Sequence, residues 1–167
     1  IQRLFENLLT DDTQKYLENQ MKELDLSTVE GKQKKADLLH LQALTATYQM
    51  KPSLALGAYY TELDIRASLL GSDHPSLAEL YLSIGQTYLQ LLNFESAIES
   101  YTLALSLLDE KEEKDAFALY RTYLAISEVH LRKAKYRKAL QYAEKAQYFL
   151  GLDEKNEQPE RALIALN

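Results

Sequence analysis

The chain has no cysteine and no tryptophan. Without cysteine there is no disulfide framework and no thiolate metal site, which fits a reducing compartment and a cytoplasmic, intracellular location. Glycine and proline are scarce, at 5 and 3 in 167 residues, and they stand at points of punctuation, as a mostly helical chain requires. No run of about 18 apolar residues occurs, so no membrane insertion is expected, and no signal peptide is evident. Positive charge is in deficit: 19 Lys and Arg face 25 Asp and Glu, for a net charge of −6. That balance argues against nucleic acid and anionic membranes as partners, since both reward a basic surface. Gly-rich phosphate loops, nucleophile elbows and paired catalytic constellations are also missing. Neither an enzyme nor a cofactor is expected. The three histidines, His40, His74 and His130, lack metal-ligand spacing. His74 is expected to start a helix, His130 to pack between helices and His40 to face a groove.

What is present is periodicity. Ala55, Ala97 and Ala139 recur every 42 residues, as do Leu39, Tyr81 and Tyr123, and Ile65, Leu107 and Phe149. A fixed period of this length marks a repeat array. Within each period, apolar residues at helical spacing are joined by short loops. A first helix is expected from about Asp12 to Leu24, capped by Thr10 or Asp11. Ser27 and Glu30 form a capping box ahead of a long helix to about Tyr48. Pro52 marks a break, and Ser53–Leu70 is helical. Gly71 suits the left-handed position that ends a helix. Further helices are expected over Pro75–Leu91, Phe94–Leu108 (with Asn93 as cap), Ala116–Lys133 and Tyr136–Leu150, the last closed by Gly151. A charged stretch, Asp109–Asp115, separates two of them, and Pro159 opens a final helix that stops at Asn167. The chain begins at Ile1 without a methionine and reads as a piece of a longer protein.

Small residues (Gly85 or Ser127, with Ala97 or Ala139) let paired helices approach, and Tyr81, Tyr88 and Tyr101 fill the space between pairs. Tyr81, Ile84-Gly85, Tyr88, Ala97, Tyr101 and Ala104 match, in order and spacing, the pattern of the tetratricopeptide repeat. This stretch therefore resembles that family. The next period keeps Tyr123, Ile126, Ala139 and Ala146 but departs at Ser127, His130 and Ala143. The first keeps Leu39, Ala43, Ala55 and Tyr59 but has Glu62 where alanine is expected. The period exceeds the usual 34 residues, and the run from Leu63 to Pro75 resembles the long repeats of kinesin light chains. The resemblance implies an all-α fold: a right-handed α-solenoid of antiparallel helix pairs, a tetratricopeptide-like superhelix. Residues 1–35 would form an N-terminal helical segment that caps the array, and 36–167 the array, with repeats at about 36–77, 78–119 and 120–161 and the start of a fourth at 162–167.

In the resembled fold, the first helices of successive pairs line a concave groove. The matching positions here are His40, Leu44 and Tyr48, then Glu79, Leu82, Gln86, Leu89 and Gln90, then Arg121, Leu124, Glu128, Leu131 and Arg132. Leu82-Ser83 and Leu124-Ala125 stand where peptide-clamping asparagines occur in related arrays, so no carboxylate clamp is expected. Instead Leu82, Leu89, Leu124 and Leu131 are expected to form an apolar stripe. Such a stripe suits an amphipathic or leucine-rich segment of a protein partner, unless residues 1–24 cover it. Arg132, Lys133, Lys135, Arg137 and Lys138 form a basic run at a helix–helix turn, read as a solvated turn or as a docking patch for an acidic or phosphate-bearing segment. The resulting expectation is a protein-interaction scaffold or adaptor. A regulatory sensor domain holding a peptide or intramolecular segment is the alternative, and a self-assembly module using exposed repeat edges is the next.

Overall fold

The computed structural model describes residues 11–108 and 115–155. Among these residues the secondary structure is helical throughout, with no strand. The expected segments at Thr10, 109–114 and Pro159–Asn167 lie outside the described residues. The chain divides into two compact units between Leu77 and Ala78.

The first unit contains α1 (Asp11–Lys22), α2 (Val29–Tyr48), α3 (Pro52–Leu70) and a 3-10 turn at Pro75–Leu77. Helices α2 and α3 form an antiparallel pair, with Ala36, Ala43, Ala46, Ala55 and Ala58 buried along it. Alanine at these positions allows close backbone approach. Helix α1 packs on α2, where Gln42 Nε2 donates to Gln14 Oε1 at 3.0 Å in a buried setting. The cap of α2 is Thr28, not Ser27: Thr28 Oγ1 accepts from the Gly31 N–H at 3.0 Å. Ser27 is engaged instead by Asp25 Oδ1, which accepts from both its N–H and its hydroxyl. Those two bonds pull the Asp25 carboxyl below its usual range. Gly71 ends α3 with φ +96° and ψ 150°. It does take positive φ, but in an extended region open essentially to glycine alone, not in the left-handed helical region.

The second unit contains α4 (Ala78–Gln90), α5 (Phe94–Leu107), α6 (Ala116–Arg132) and α7 (Tyr136–Lys155), paired as α4 with α5 and α6 with α7. Helix α6 also packs on α5. The first helical turn expected at Pro75 is thus the 3-10 segment, and the α-helix proper begins at Ala78. Asn93 caps α5 through the Ser96 N–H, and Asp115 caps α6 through the Ala118 N–H. Gly151 does not close α7; the helix runs on to Lys155. A glycine inside a helix costs only about 1 kcal/mol relative to alanine, too little to stop a helix by itself. At the centre of this unit, Leu82, Leu89, Tyr101, Leu119, Tyr123, Ile126, Val129 and Phe149 form one core. Gly85 is required there: a β-carbon on it would stand 2.4 Å from the Tyr101 ring.

The turns inside the three pairs repeat one another. Met50, Leu92 and Ala134 all have positive φ, at +56°, +57° and +53°. In each turn that residue's N–H bonds three residues back, to Thr47, Leu89 and Leu131 respectively. The next N–H bonds five residues back, from Lys51 to Ala46, Asn93 to Tyr88 and Lys135 to His130. This is the Schellman helix ending, used three times with non-glycine residues in the left-handed position.

Candidate protein-binding surface

The side chains assigned to the groove divide by burial. In the second unit, Leu82 and Leu89 are 6% and 0% exposed and belong to the core. They are not part of an open apolar stripe, because packing within the unit removes them from solvent. Their equivalents one period later, Leu124 and Leu131, are 42% and 56% exposed on α6. Charged and polar groups accompany them. Arg121 Nη1 meets both Glu79 carboxylate oxygens, at 2.9 and 2.8 Å. That pair joins α6 to α4 between positions one period apart. Within α6, Arg132 Nη2 and Nε donate to Glu128 Oε1 at 2.7 and 3.1 Å. Gln90 is exposed. Gln86 is exposed too, and its Oε1 accepts from the Tyr101 hydroxyl at 3.1 Å. Burial pushes the Tyr101 phenol well above its usual range, so it stays a neutral donor.

In the first unit, Leu44 and Tyr48 are exposed. His40 is turned toward α3, where its Nδ1 lies 3.0 Å from Glu62 Oε2. Glu62 is 2% exposed, and Arg66 Nε donates to its other oxygen at 2.7 Å while Arg66 Nη2 reaches Asp37 at 2.8 Å. A buried carboxylate is tolerated only when its lone pairs are occupied in this way. The bond to Glu62 raises the His40 pKa above its ordinary value. Sequence reasoning missed this network; the acid at an alanine position was its one visible sign.

The other candidates fall into structural roles. His74 accepts at Nδ1 from the Ser76 N–H at 3.2 Å and lies in the turn before α4. His130 is buried and stacked on Tyr142, with centroids 5.3 Å apart. Its burial, with Lys138, Lys135 and Lys133 nearby, lowers its pKa and keeps it neutral. Within the basic run, Arg132 pairs with Glu128, and Lys133 pairs with Glu95 and lies 5.6 Å from the Phe94 ring centroid. Lys135, Arg137 and Lys138 are exposed. Among the described residues no helix is long and apolar enough to cross a membrane, and no group of three acids or histidines could hold a metal ion.

Residues 34–110 match the family model described as Tetratricopeptide repeat. That stretch covers α3, α4, α5 and most of α2. With the helix pairs and their shared turn, the match shows that this stretch is similar to the tetratricopeptide repeat family. The family is a non-catalytic repeat scaffold that generally mediates protein–protein interaction. A comparison with curated proteins found no match.

Proposed function

We propose that this chain is a protein-interaction scaffold that binds a helical or extended segment of a partner on the first helices of its second unit. The observation that carries the reading is the exposure of Leu124 and Leu131 on α6, seven residues and two turns apart. An apolar row of that spacing, flanked by the Glu79–Arg121 and Glu128–Arg132 ion pairs, suits an amphipathic or leucine-rich segment. The leucines supply apolar contact, and the charges set register and orientation. Binding by such a preformed surface needs little reordering, which lowers its entropic cost.

The test is affinity capture from a lysate with the parent chain and with Leu124→Glu/Leu131→Glu, circular dichroism being recorded on both. Both leucines stand at exposed positions of α6, so the variant is expected to keep its helicity. A partner retained by the parent and lost by the variant is the expected result. Equal recovery by both would overturn the reading, as would self-association that is abolished by the same substitutions without any other partner.

A further inference from the structure

We infer that the α6–α7 pair carries a proton-operated latch: protonation of the His130 ring forces it out of its aromatic stack and loosens this helix pair, whereas acid tightens the α2–α3 pair through His40. The position is particular to α6. One and two periods earlier it is filled by Tyr88 and Ala46, residue types that do not change charge near neutrality. His130 is 7% exposed. Its ring stacks on Tyr142 of α7, which stacks in turn on Tyr123 of α6, with centroids 5.3 and 6.2 Å apart. The imidazole is thus a packing element between the two helices. Its Nδ1 is buried and has no hydrogen-bond partner among the described residues.

A neutral ring tolerates that setting, because one of its nitrogens carries no proton and Nδ1 can be that one. The imidazolium does not: both nitrogens then carry a proton, and the one on Nδ1 is a buried donor without an acceptor. No acid is among the groups whose charge bears on the ring. Those groups are Lys138 in the first turn of α7, Lys135 in the connecting turn and Lys133 at the end of α6. The Lys145 ammonium also lies 5.9 Å from the Tyr142 centroid. On the α5 side the acid is Glu95, and Lys133 already holds it. The negative end of α6 favours a cation, but the positive end of α7 begins in the same turn and offsets it. Burial and the three lysines therefore lower the His130 pKa. The folded chain then binds fewer protons than the unfolded one. The stability that His130 lends is complete above its unfolded pKa of about 6.5 and is lost as pH falls below it. His40 runs the other way, since its bond to Glu62 raises its pKa and strengthens in acid. Release of a partner from α6 in acid is the functional consequence; that consequence rests on the proposed function, whereas the test below does not.

The test is read on the chain alone, without a partner. NMR follows the imidazole signals of the three histidines from about pH 8 to about pH 5, the His130 signal being assigned by its loss in His130→Phe. Amide hydrogen exchange, corrected for its intrinsic pH dependence, is followed over the same range in the parent, His130→Phe and His130→Tyr. Both variants keep an aromatic ring in the stack and remove its titration. His130 should titrate below about 6.5, the value of an unperturbed imidazole. Protection of α6 and α7 should fall with pH in the parent and stay level in both variants, while α2 and α3 lose none. Titration of His130 at or above about 6.5 would overturn the inference, and that reading needs only the parent to fold. An equal loss of protection in the variants, or no loss in α6 and α7 of the parent, would overturn it as well.

Discussion

Replacing Gly85 by alanine should destabilise the chain, against the usual direction for a helical glycine. The substitution gains helix propensity, worth about 1 kcal/mol. It also places a β-carbon 2.4 Å from the Tyr101 ring, whereas ordinary contact begins at 3.4 Å. The ring must therefore retreat by about 1 Å. Tyr101 is 0% exposed and its hydroxyl is tied to Gln86, so that movement disturbs packing and a hydrogen bond together. Overpacking of this kind costs about 1–3 kcal/mol. The balance is a net loss of up to about 2 kcal/mol, which for a chain of this size lowers the midpoint of melting by up to roughly 8 °C. Gly57 is the internal control. It is also helical, and nothing lies within 4 Å of a β-carbon there, so Gly57→Ala should stabilise by about 0.5–1 kcal/mol. The third pair shows how the clash is avoided: Ser127 and Ala143 occupy the positions of Gly85 and Tyr101. Urea unfolding followed by circular dichroism measures both variants. Equal or greater stabilisation by Gly85→Ala than by Gly57→Ala would refute the packing argument.

Three further outcomes are expected. Thr28→Ala should cost about 1 kcal/mol by removing the cap of α2, and Ser27→Ala should cost less; the reverse order in urea unfolding would restore Ser27 as the cap. Because Glu62 raises the His40 pKa above 6.5, the stability His40 contributes is complete below its unfolded pKa and is lost as pH rises through the folded value. The advantage of the parent chain over His40→Gln should therefore shrink as pH rises above about 6.5, and a constant or growing advantage would contradict this. Ala134→Gly should stabilise by up to about 1 kcal/mol, since it relieves left-handed strain at an exposed site; a loss of stability would show that the turn does not hold that residue under strain.

Much of the fold is legible in the sequence because packing repeats where residues repeat. The alanines at 55, 97 and 139 and the glycine beneath Tyr101 have no other reason to stand at their spacing. The turns were less legible. Met50, Leu92 and Ala134 recur every 42 residues in the same conformation, but they differ in side chain and none is glycine, so only the period itself could have marked them. Gly151, by contrast, resembles a helix end and lies inside one, because helical hydrogen bonding on both sides outweighs its modest penalty. Thr28 and Ser27 are adjacent hydroxyls of equal promise, and only the folded turn at Asp25 decides between them.

The candidate surface was legible in part. Leu82 and Leu124 occupy equivalent positions, as do Leu89 and Leu131, so sequence alone treats each pair alike. What lies against them differs: the first of each pair is sealed into the core, and the second is exposed. Burial is a property of a repeat's neighbours, which its own residues do not encode.

The most direct measurement of the central claim is a binding titration of a captured partner against three proteins: the parent chain, Leu124→Glu/Leu131→Glu, and Leu140→Glu. Leu140 is 61% exposed on α7, so it controls for the mere introduction of charge at an exposed leucine. Roughly half of each α6 leucine is free for contact, so their burial contributes about 1.5–3 kcal/mol together. Their replacement should weaken binding at least about tenfold, and Leu140→Glu should leave it unchanged. Equal affinity for the parent and the α6 double variant would contradict the claim that this surface binds the partner.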